Sequence, residues 1–531
     1  MMKKAIKKLL AALLAVAMLC AMAIPAFAYN TEEDLNAIHG YSAFQIFTGD
    51  VSDDNTISNV KWGSNITDPA AFLEQLKNDS TIGTQFQFAD ATDAADAATA
   101  QEVLAVISKW SNSDDNSIAF ARVVCHYLYP DANANPTPVA TGHTGGFEVP
   151  KPGYYLIVDT TYFNLRDFYH AYNSFLLKVT KAHYGFTINH KVVKPYVEKE
   201  VYDNQDGTNE AGFGSSADHA INEEFQFKLT ATLPASPDRA YDYYKEYAVL
   251  FNDTLSNGIT YDGLDSVVIE SDGIPYDITD DNLKYNVDTT DLESHNYFVV
   301  GIPDVKTCVP DLNKGATITV TYTAHLNENA AVNGSTDNKN KVQLQYSNNP
   351  RNSAYWGFTP ESAVCVYTYQ LNNTKYHDEA NSGNELEGAG FSLYSDEACT
   401  QEVKLYKEGA FYYPIKNATG KTAVEMKSAA DGTFNVKGLD AGTYYLKETT
   451  PPAGYSACDK TRIVISATHD EHNVNLSGES NLNNKIINIK AGGITLPSTG
   501  GIGTTLFYVV GGGLMVAAIV LLVTKKRMEN K

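Results

Sequence analysis

Gly438-Leu439-Asp440-Ala441-Gly442-Thr443-Tyr444-Tyr445-Leu446-Lys447-Glu448 reads as a turn running into an extended segment. Glycine and aspartate break the chain, and from Thr443 onward aromatic and β-branched residues take over. With a period of two, Tyr444, Leu446 and Glu448 share one face and Thr443, Tyr445 and Lys447 the other. A near copy, Pro152-Gly153-Tyr154-Tyr155-Leu156-Ile157-Val158, stands in the first third of the chain, so the same strand is used twice. The copies differ at their end. Glu448 occupies the apolar face where the earlier copy has Val158, and Asp159, one residue on, is expected on the opposite face.

Outward from these strands the texture stays β. Phe225 to Leu233, Ala316 to Thr323 and Lys341 to Tyr346 alternate in the same way, separated by Gly, Asn, Asp and Pro. Helical periods are short and confined to Pro69 to Lys77 and Ala94 to Lys109. The pattern predicts a mainly β chain of tandem immunoglobulin-like β-sandwich domains, the first carrying short helices. Changes of punctuation near Asn189 to Pro195 and Val364 to Leu371 divide it into 29–190, 191–366 and 367–490.

The two ends differ from everything between them. Lys3, Lys4, Lys7 and Lys8 precede an apolar run from Leu9 to Ile24 and the small residues around Ala26-Phe27-Ala28, which predicts a secretory signal peptide over 1–28. At 491–531, Leu496-Pro497-Ser498-Thr499-Gly500 is followed by an uncharged stretch, Thr505 to Val523, of membrane-spanning length, and then by Lys525-Lys526-Arg527, expected to stay in the cytoplasm. Of the chain's 40 basic and 63 acidic residues, 32 and 62 lie between these ends. So acidic a surface argues against nucleic acid and for solubility. Cys125, Cys308, Cys365, Cys399 and Cys458 are sparse and odd in number, without metal-type spacing, so disulfides are not expected to be the main staple. No Gly-x-Ser-x-Gly or His-Glu-x-x-His motif occurs, and Cys125 and His126, read as strand neighbours, would face apart. Asp203-Asn204-Gln205-Asp206-Gly207 has the wrong ligand spacing for a calcium loop and reads as a turn. No metal or cofactor is expected.

One combination of residues demands chemistry. Tyr369, Leu371, Asn373 and Lys375 share a strand face, so the Lys375 amine points inward; Glu448 points inward from its own strand, and Asn488 follows Ile486 in the last one. The middle segment repeats the arrangement: Val197, Lys199 and Val201; then Val249, Phe251, Asp253 and Leu255; then Asn340, Val342, Leu344 and Tyr346, with Asn338 on the same face as Asn340. An amine, a carboxyl and an amide in one apolar core are costly unless they pair or react. Desolvation favours the neutral forms of amine and acid. A neutral amine is a nucleophile, and a protonated carboxyl can polarise the amide and shuttle protons as ammonia leaves. Fixed in place by folding, these groups would form a Lys-Asn isopeptide bond without any other enzyme.

Leu386-Glu387-Gly388-Ala389-Gly390-Phe391-Ser392-Leu393-Tyr394, with Gly438 to Glu448 and Pro451-Pro452-Ala453-Gly454-Tyr455, resembles a collagen-adhesin B-type domain. In that family a first-strand lysine, the glutamate before the Thr-x-Pro-x-Gly-Tyr turn and a last-strand asparagine are joined; the matching residues are Lys375, Glu448 and Asn488. Glu198-Lys199-Glu200-Val201, Asp253 to Gly258 and Asn340 to Asn348 resemble the isopeptide-forming fimbrial domain of pilus shaft proteins, which implies Lys199, Asp253 and Asn340. The first domain, with Val158 in place of the glutamate, is expected to lack the carboxyl and the bond. The C-terminal pentapeptide, apolar stretch and basic tail resemble the sorting signal of sortase substrates, which implies cleavage between Thr499 and Gly500 and a cell-wall location. Shaft pilins also carry an acceptor lysine just before the middle domain, often after Tyr-Pro. Lys191 takes that place behind Asn189-His190, with Lys194 as runner-up. The resemblance as a whole implies a non-enzymatic Gram-positive pilus shaft subunit. Its partners would be a sortase, identical subunits, ancillary pilins, peptidoglycan, and surface ligands on host or neighbouring cells. A wall-anchored monomeric or ancillary adhesin would share the signal, the anchor and the sandwiches.

Overall fold

A computed structural model describes residues 40–491 except 52–56, 89–96, 111–114, 132, 144–146, 161–173, 180–183, 187–194, 205–210, 237–238, 279–283, 335–337 and 352–355, together with 520, 523, 525 and 526. The signal segment 1–28 lies outside the described residues. So do Lys191, Lys194, Leu496, Pro497, Ser498, Thr499 and Gly500. Almost all of Thr505 to Val523 does as well, and among the described residues no helix is long and apolar enough to cross a membrane.

The described residues are mostly β, and their three largest hydrophobic cores follow one another along the chain. In the first, Gly40–Val51 and Gly153–Asp159 pair antiparallel at the centre of a sheet, flanked by Ile57–Trp62 and Ser174–Val179. Helices Pro69–Asn78, Ala97–Ile107 and Asp115–Leu128 cover one face and bury Phe44, Leu156 and Val158 against Phe72 and Phe120. Pro69 opens its helix just behind an Asp68 cap, which accepts from the Ala71 N–H at 3.0 Å. The third helix corrects the strand reading of Cys125 and His126. Ala119, Phe120, Val123, Val124 and Leu128 have helical spacing, and packing overrides the β preference of the paired valines.

The opposite face of this sheet is buried too, by Tyr41, Tyr155 and Ile157. Asp159 shares that face and is fully buried. The first domain therefore does enclose a carboxyl, contrary to expectation, and burial followed by the Asp159 charge raises the Tyr41 phenol well above its ordinary value. The repeated strand has one further common feature: it starts at Gly153 and Gly442 with φ of 157° and 147°, and at Gly153 a Cβ would stand 2.4 Å from the Phe47 carbonyl oxygen.

The middle core lies between two sheets. One runs in the order Ile274–Asp277, Ile259–Ser271, Ala316–Leu326, Glu224–Leu233, Tyr196–Asp203, Gly212–Gly214. The other runs Ser216–Asp218, Ser362–Tyr367, Lys339–Ser347, Val249–Leu255, Tyr297–Ile302, Asn286–Asp288. Strict alternation along Ala316–Leu326 sends Ile318, Val320, Tyr322 and Ala324 inward. In the third core Tyr369–His377 lies beside Asn483–Asn488, parallel, with Lys375 opposite Ile486 and His377 opposite Asn488. Gly390–Tyr394 and Gly442–Thr450 pair in the facing sheet. First and last strands are thus neighbours.

A single residue, Thr368, separates the last middle-domain strand from the first strand of the third domain, and the joint is packed. Ile221 N–H donates to the Gly438 carbonyl at 2.9 Å, Asn222 Nδ2 to the Pro414 carbonyl at 2.8 Å, and the Tyr406 hydroxyl to Glu328 at 2.8 Å.

Candidate functional site

In the third domain, alternation buries Tyr369, Leu371, Asn373 and Lys375 completely, and Glu448 and Asn488 almost completely. Lys375 Nζ donates to Asn488 Oδ1 at 2.5 Å, Asn488 Nδ2 donates to Glu448 Oε1 at 2.7 Å, and the amine and that oxygen are 3.8 Å apart. Loss of water, the largest effect, lowers the Lys375 pKa. Its ammonium stands 5.4 Å from the centre of the Phe391 ring, which stacks on Phe434. A nucleophile, an amide carbon and a proton carrier are in mutual reach.

Cys458 joins this group unannounced by the sequence. Its N–H donates to Glu448 Oε2 at 2.7 Å, fixing the carboxyl, and burial pushes its thiol up to about 11. The segment that carries it has no strand pattern to signal which way it points.

In the middle domain Lys199, Asp253 and Asn340 are buried in one place. Lys199 Nζ donates to Asp253 Oδ2 and, at 3.0 Å, to the Tyr322 hydroxyl. That hydroxyl donates to Asp253 Oδ1 at 3.2 Å and accepts from Asn340 Nδ2 at 2.5 Å. Burial is the leading influence on both charged groups: it brings Lys199 down to about 8 and raises Asp253, although each partner's charge opposes the change. Phe227 and Tyr322 rings flank the amine at 5.0 and 5.2 Å. Asn340 Oδ1 is buried and, among the described residues, has no hydrogen-bond partner. A half-turn of the amide exchanges its oxygen and nitrogen, and when the single Tyr322 proton then turns from Asp253 to the carbonyl, it polarises that group.

Asn338, on the same face, is occupied otherwise. Its Oδ1 accepts from Ala331 N–H at 2.8 Å, and its Nδ2 donates to the Ala331 and Val366 carbonyls at 2.8 and 3.0 Å. Tyr322 is the participant that the sequence reading missed. It sits on an apolar face and looks like core, yet a buried tyrosine needs a partner for its hydroxyl. Tyr322→Phe is expected to slow crosslinking here, leaving an uncrosslinked fraction in the intact-mass spectrum; quantitative reaction would exclude the hydroxyl from the step.

Residues 372–481 match the SpaA family, a prealbumin-like fold domain, and residues 488–530 match the LPXTG cell wall anchor motif. The chain therefore ends in a prealbumin-like domain and a cell wall anchor. The anchor makes it a cell-wall-attached surface protein. The prealbumin-like domain contains Lys375 and Glu448, while Asn488 falls at the first residue of the anchor match. Over 403 residues the chain is 25% identical to the trypsin-resistant surface T6 protein of Streptococcus pyogenes serotype M6, covering 65% of this chain and 71% of the relative. The structure of the T6 backbone pilin of serotype M6 Streptococcus pyogenes, described as modular and three-domain, superposes with a TM-score of 0.50 at 16% identity, covering 87% of this chain and 97% of that one. The two share a fold.

Proposed function

We propose that this protein is the shaft subunit of a sortase-assembled pilus, welded internally by a Lys199-Asn340 and a Lys375-Asn488 isopeptide bond. The relatedness to the T6 surface protein, the fold shared with its backbone pilin and the LPXTG anchor support the shaft assignment. The observation that carries the internal bonds is the burial, in each of two domains, of an amine, an acid and an amide, in direct contact in the third domain and joined through the Tyr322 hydroxyl in the middle one.

The reaction balances without a co-reactant. The neutral amine attacks the asparagine Cγ, the acid holds the amine's proton and passes it to the departing nitrogen, and ammonia leaves. Asp253 serves the middle domain and Glu448 the third. In the third domain the bond ties adjacent first and last strands, so tension entering through one and leaving through the other bypasses residues 376–487.

Assembly uses the ends. A sortase cysteine cleaves between Thr499 and Gly500 and holds Thr499 as a thioester; a lysine of the next subunit, Lys191 with Lys194 as runner-up, resolves it. Lys191→Ala is expected to abolish the high-molecular-weight ladder in wall extracts while leaving anchored monomer. A ladder unchanged in that variant and lost in Lys194→Ala would move the acceptor; a wild type showing monomer alone would favour a wall-anchored adhesin.

A further inference from the structure

The joint between the middle and third domains holds a cluster that neither crosslink uses. Asp203 ends the strand Tyr196–Asp203, Asp218 ends Ser216–Asp218, and His469 ends Ala467–His469. Their side chains are 10%, 0% and 5% exposed. His469 Nε2 lies 3.6 Å from Asp203 Oδ2 and 3.6 Å from Asp218 Oδ1, and one ligand atom from each of the three residues lies within 4.8 Å of the other two. The far atom of each side chain is held by something else. His469 Nδ1 is 2.8 Å from Ser216 Oγ, Asp218 Oδ2 accepts from the Tyr369 hydroxyl at 2.6 Å, and Asp203 Oδ1 accepts from the Asp218 N–H at 3.2 Å. Three near atoms therefore converge on one point.

Their spacing is too long for hydrogen bonds. The two 3.6 Å separations from His469 Nε2 match ligands of a tetrahedral ion, since donors about 2.0–2.2 Å from the metal stand about 3.3–3.6 Å from one another, and the two carboxylates lie within 4.8 Å of each other. His469 Nδ1 engages Ser216 Oγ while Nε2 faces the two carboxylates, and a metal-binding histidine is typically oriented through its second ring nitrogen in this way. Imidazole with two carboxylates selects a transition ion rather than magnesium or calcium. Two carboxylates side by side in a buried place also favour a cation. A second group at the same joint, His219, Glu223 and Asp440, is built differently. There Lys416 pairs with Glu223, and Asp440 accepts from Asn204 Nδ2 at 2.9 Å and the Ala441 N–H at 3.0 Å.

We propose that Asp203, Asp218 and His469 form a binding site for one divalent transition-metal ion of the zinc class, clamping the third domain onto the middle one. Two ligands come from one domain and one from the other, so the ion fixes the angle of the joint as well as its closure. The absence of metal-type spacing in the sequence is no obstacle, because Ser216 and His469 are 253 positions apart and only folding brings them together.

Zinc titration by calorimetry on the ectodomain, residues 29–499, tests the site. The wild type is expected to bind one zinc per chain and to melt at a higher temperature with zinc than with chelator. His469→Gln, which retains hydrogen-bonding capacity and is expected to fold, should bind at least about tenfold more weakly and lose the zinc-dependent shift; Asp218→Asn should do the same. A wild type that takes up no zinc at neutral pH, or a His469→Gln variant that binds as tightly as wild type, would overturn the proposal. If Asp218→Asn fails to fold, the histidine variant alone decides.

Discussion

Asp253→Ala should produce the largest loss of stability of any single substitution in the crosslinking sites. It removes the proton carrier, so the middle-domain bond should fail to form and the intact mass should exceed that of the wild type by one ammonia, after allowing for the changed side chain. It also strands Lys199, fully enclosed between Phe227 and Tyr322, with only the Tyr322 hydroxyl among its described hydrogen-bond partners. Removing one member of a buried charged pair costs about 3–5 kcal/mol, and the lost crosslink adds to that. Thermal unfolding and limited trypsin digestion should both show the middle domain failing first. A crosslinked Asp253→Ala protein would mean that some other group carries the proton.

Glu448→Ala should have the next largest effect, on the third domain alone. The amine and amide would remain 2.5 Å apart as now, but without the carboxyl that receives the proton the bond should not form, again leaving one ammonia in the mass. Closing a loop of 113 positions contributes about 5 kcal/mol on the disulfide loop analogy. For a domain of this size that corresponds to a fall in melting temperature on the order of 20 °C. Glu448→Gln separates chemistry from packing, because it keeps the shape and hydrogen-bonding capacity while removing the acid. Like Glu448→Ala it should keep the ammonia, with the full mass of its own sequence in that domain, and it should lie between Glu448→Ala and wild type in stability.

The strand faces were legible because a period of two allows little freedom: Tyr369 to Lys375, Val249 to Leu255 and Asn340 to Tyr346 alternate so regularly that an inward lysine, aspartate or asparagine shows as an exception. Residues that fit the pattern carry no such signal. Tyr322 breaks no apolar pattern, so its hydroxyl at the centre of the middle site was hidden. Asp159 lies on the face opposite Val158, as alternation predicts, but that face encloses it as well because the first sheet is buried on both sides. The helix Asp115–Leu128 carries valines that favour strands in isolation, and its fit against Phe44, Leu156 and Val158 decides otherwise. Asp203, Asp218 and His469 meet only because two domains close on each other, which no local pattern records.

Intact mass spectrometry of the wild-type ectodomain, residues 29–499, under denaturing conditions tests the central claim most directly. Two self-formed isopeptide bonds predict a mass lower than that of the sequence by two ammonia equivalents, with the crosslinked peptides joining Lys199 to Asn340 and Lys375 to Asn488. A mass equal to that of the sequence would mean that the buried amines, acids and amides only pair, and would contradict the account.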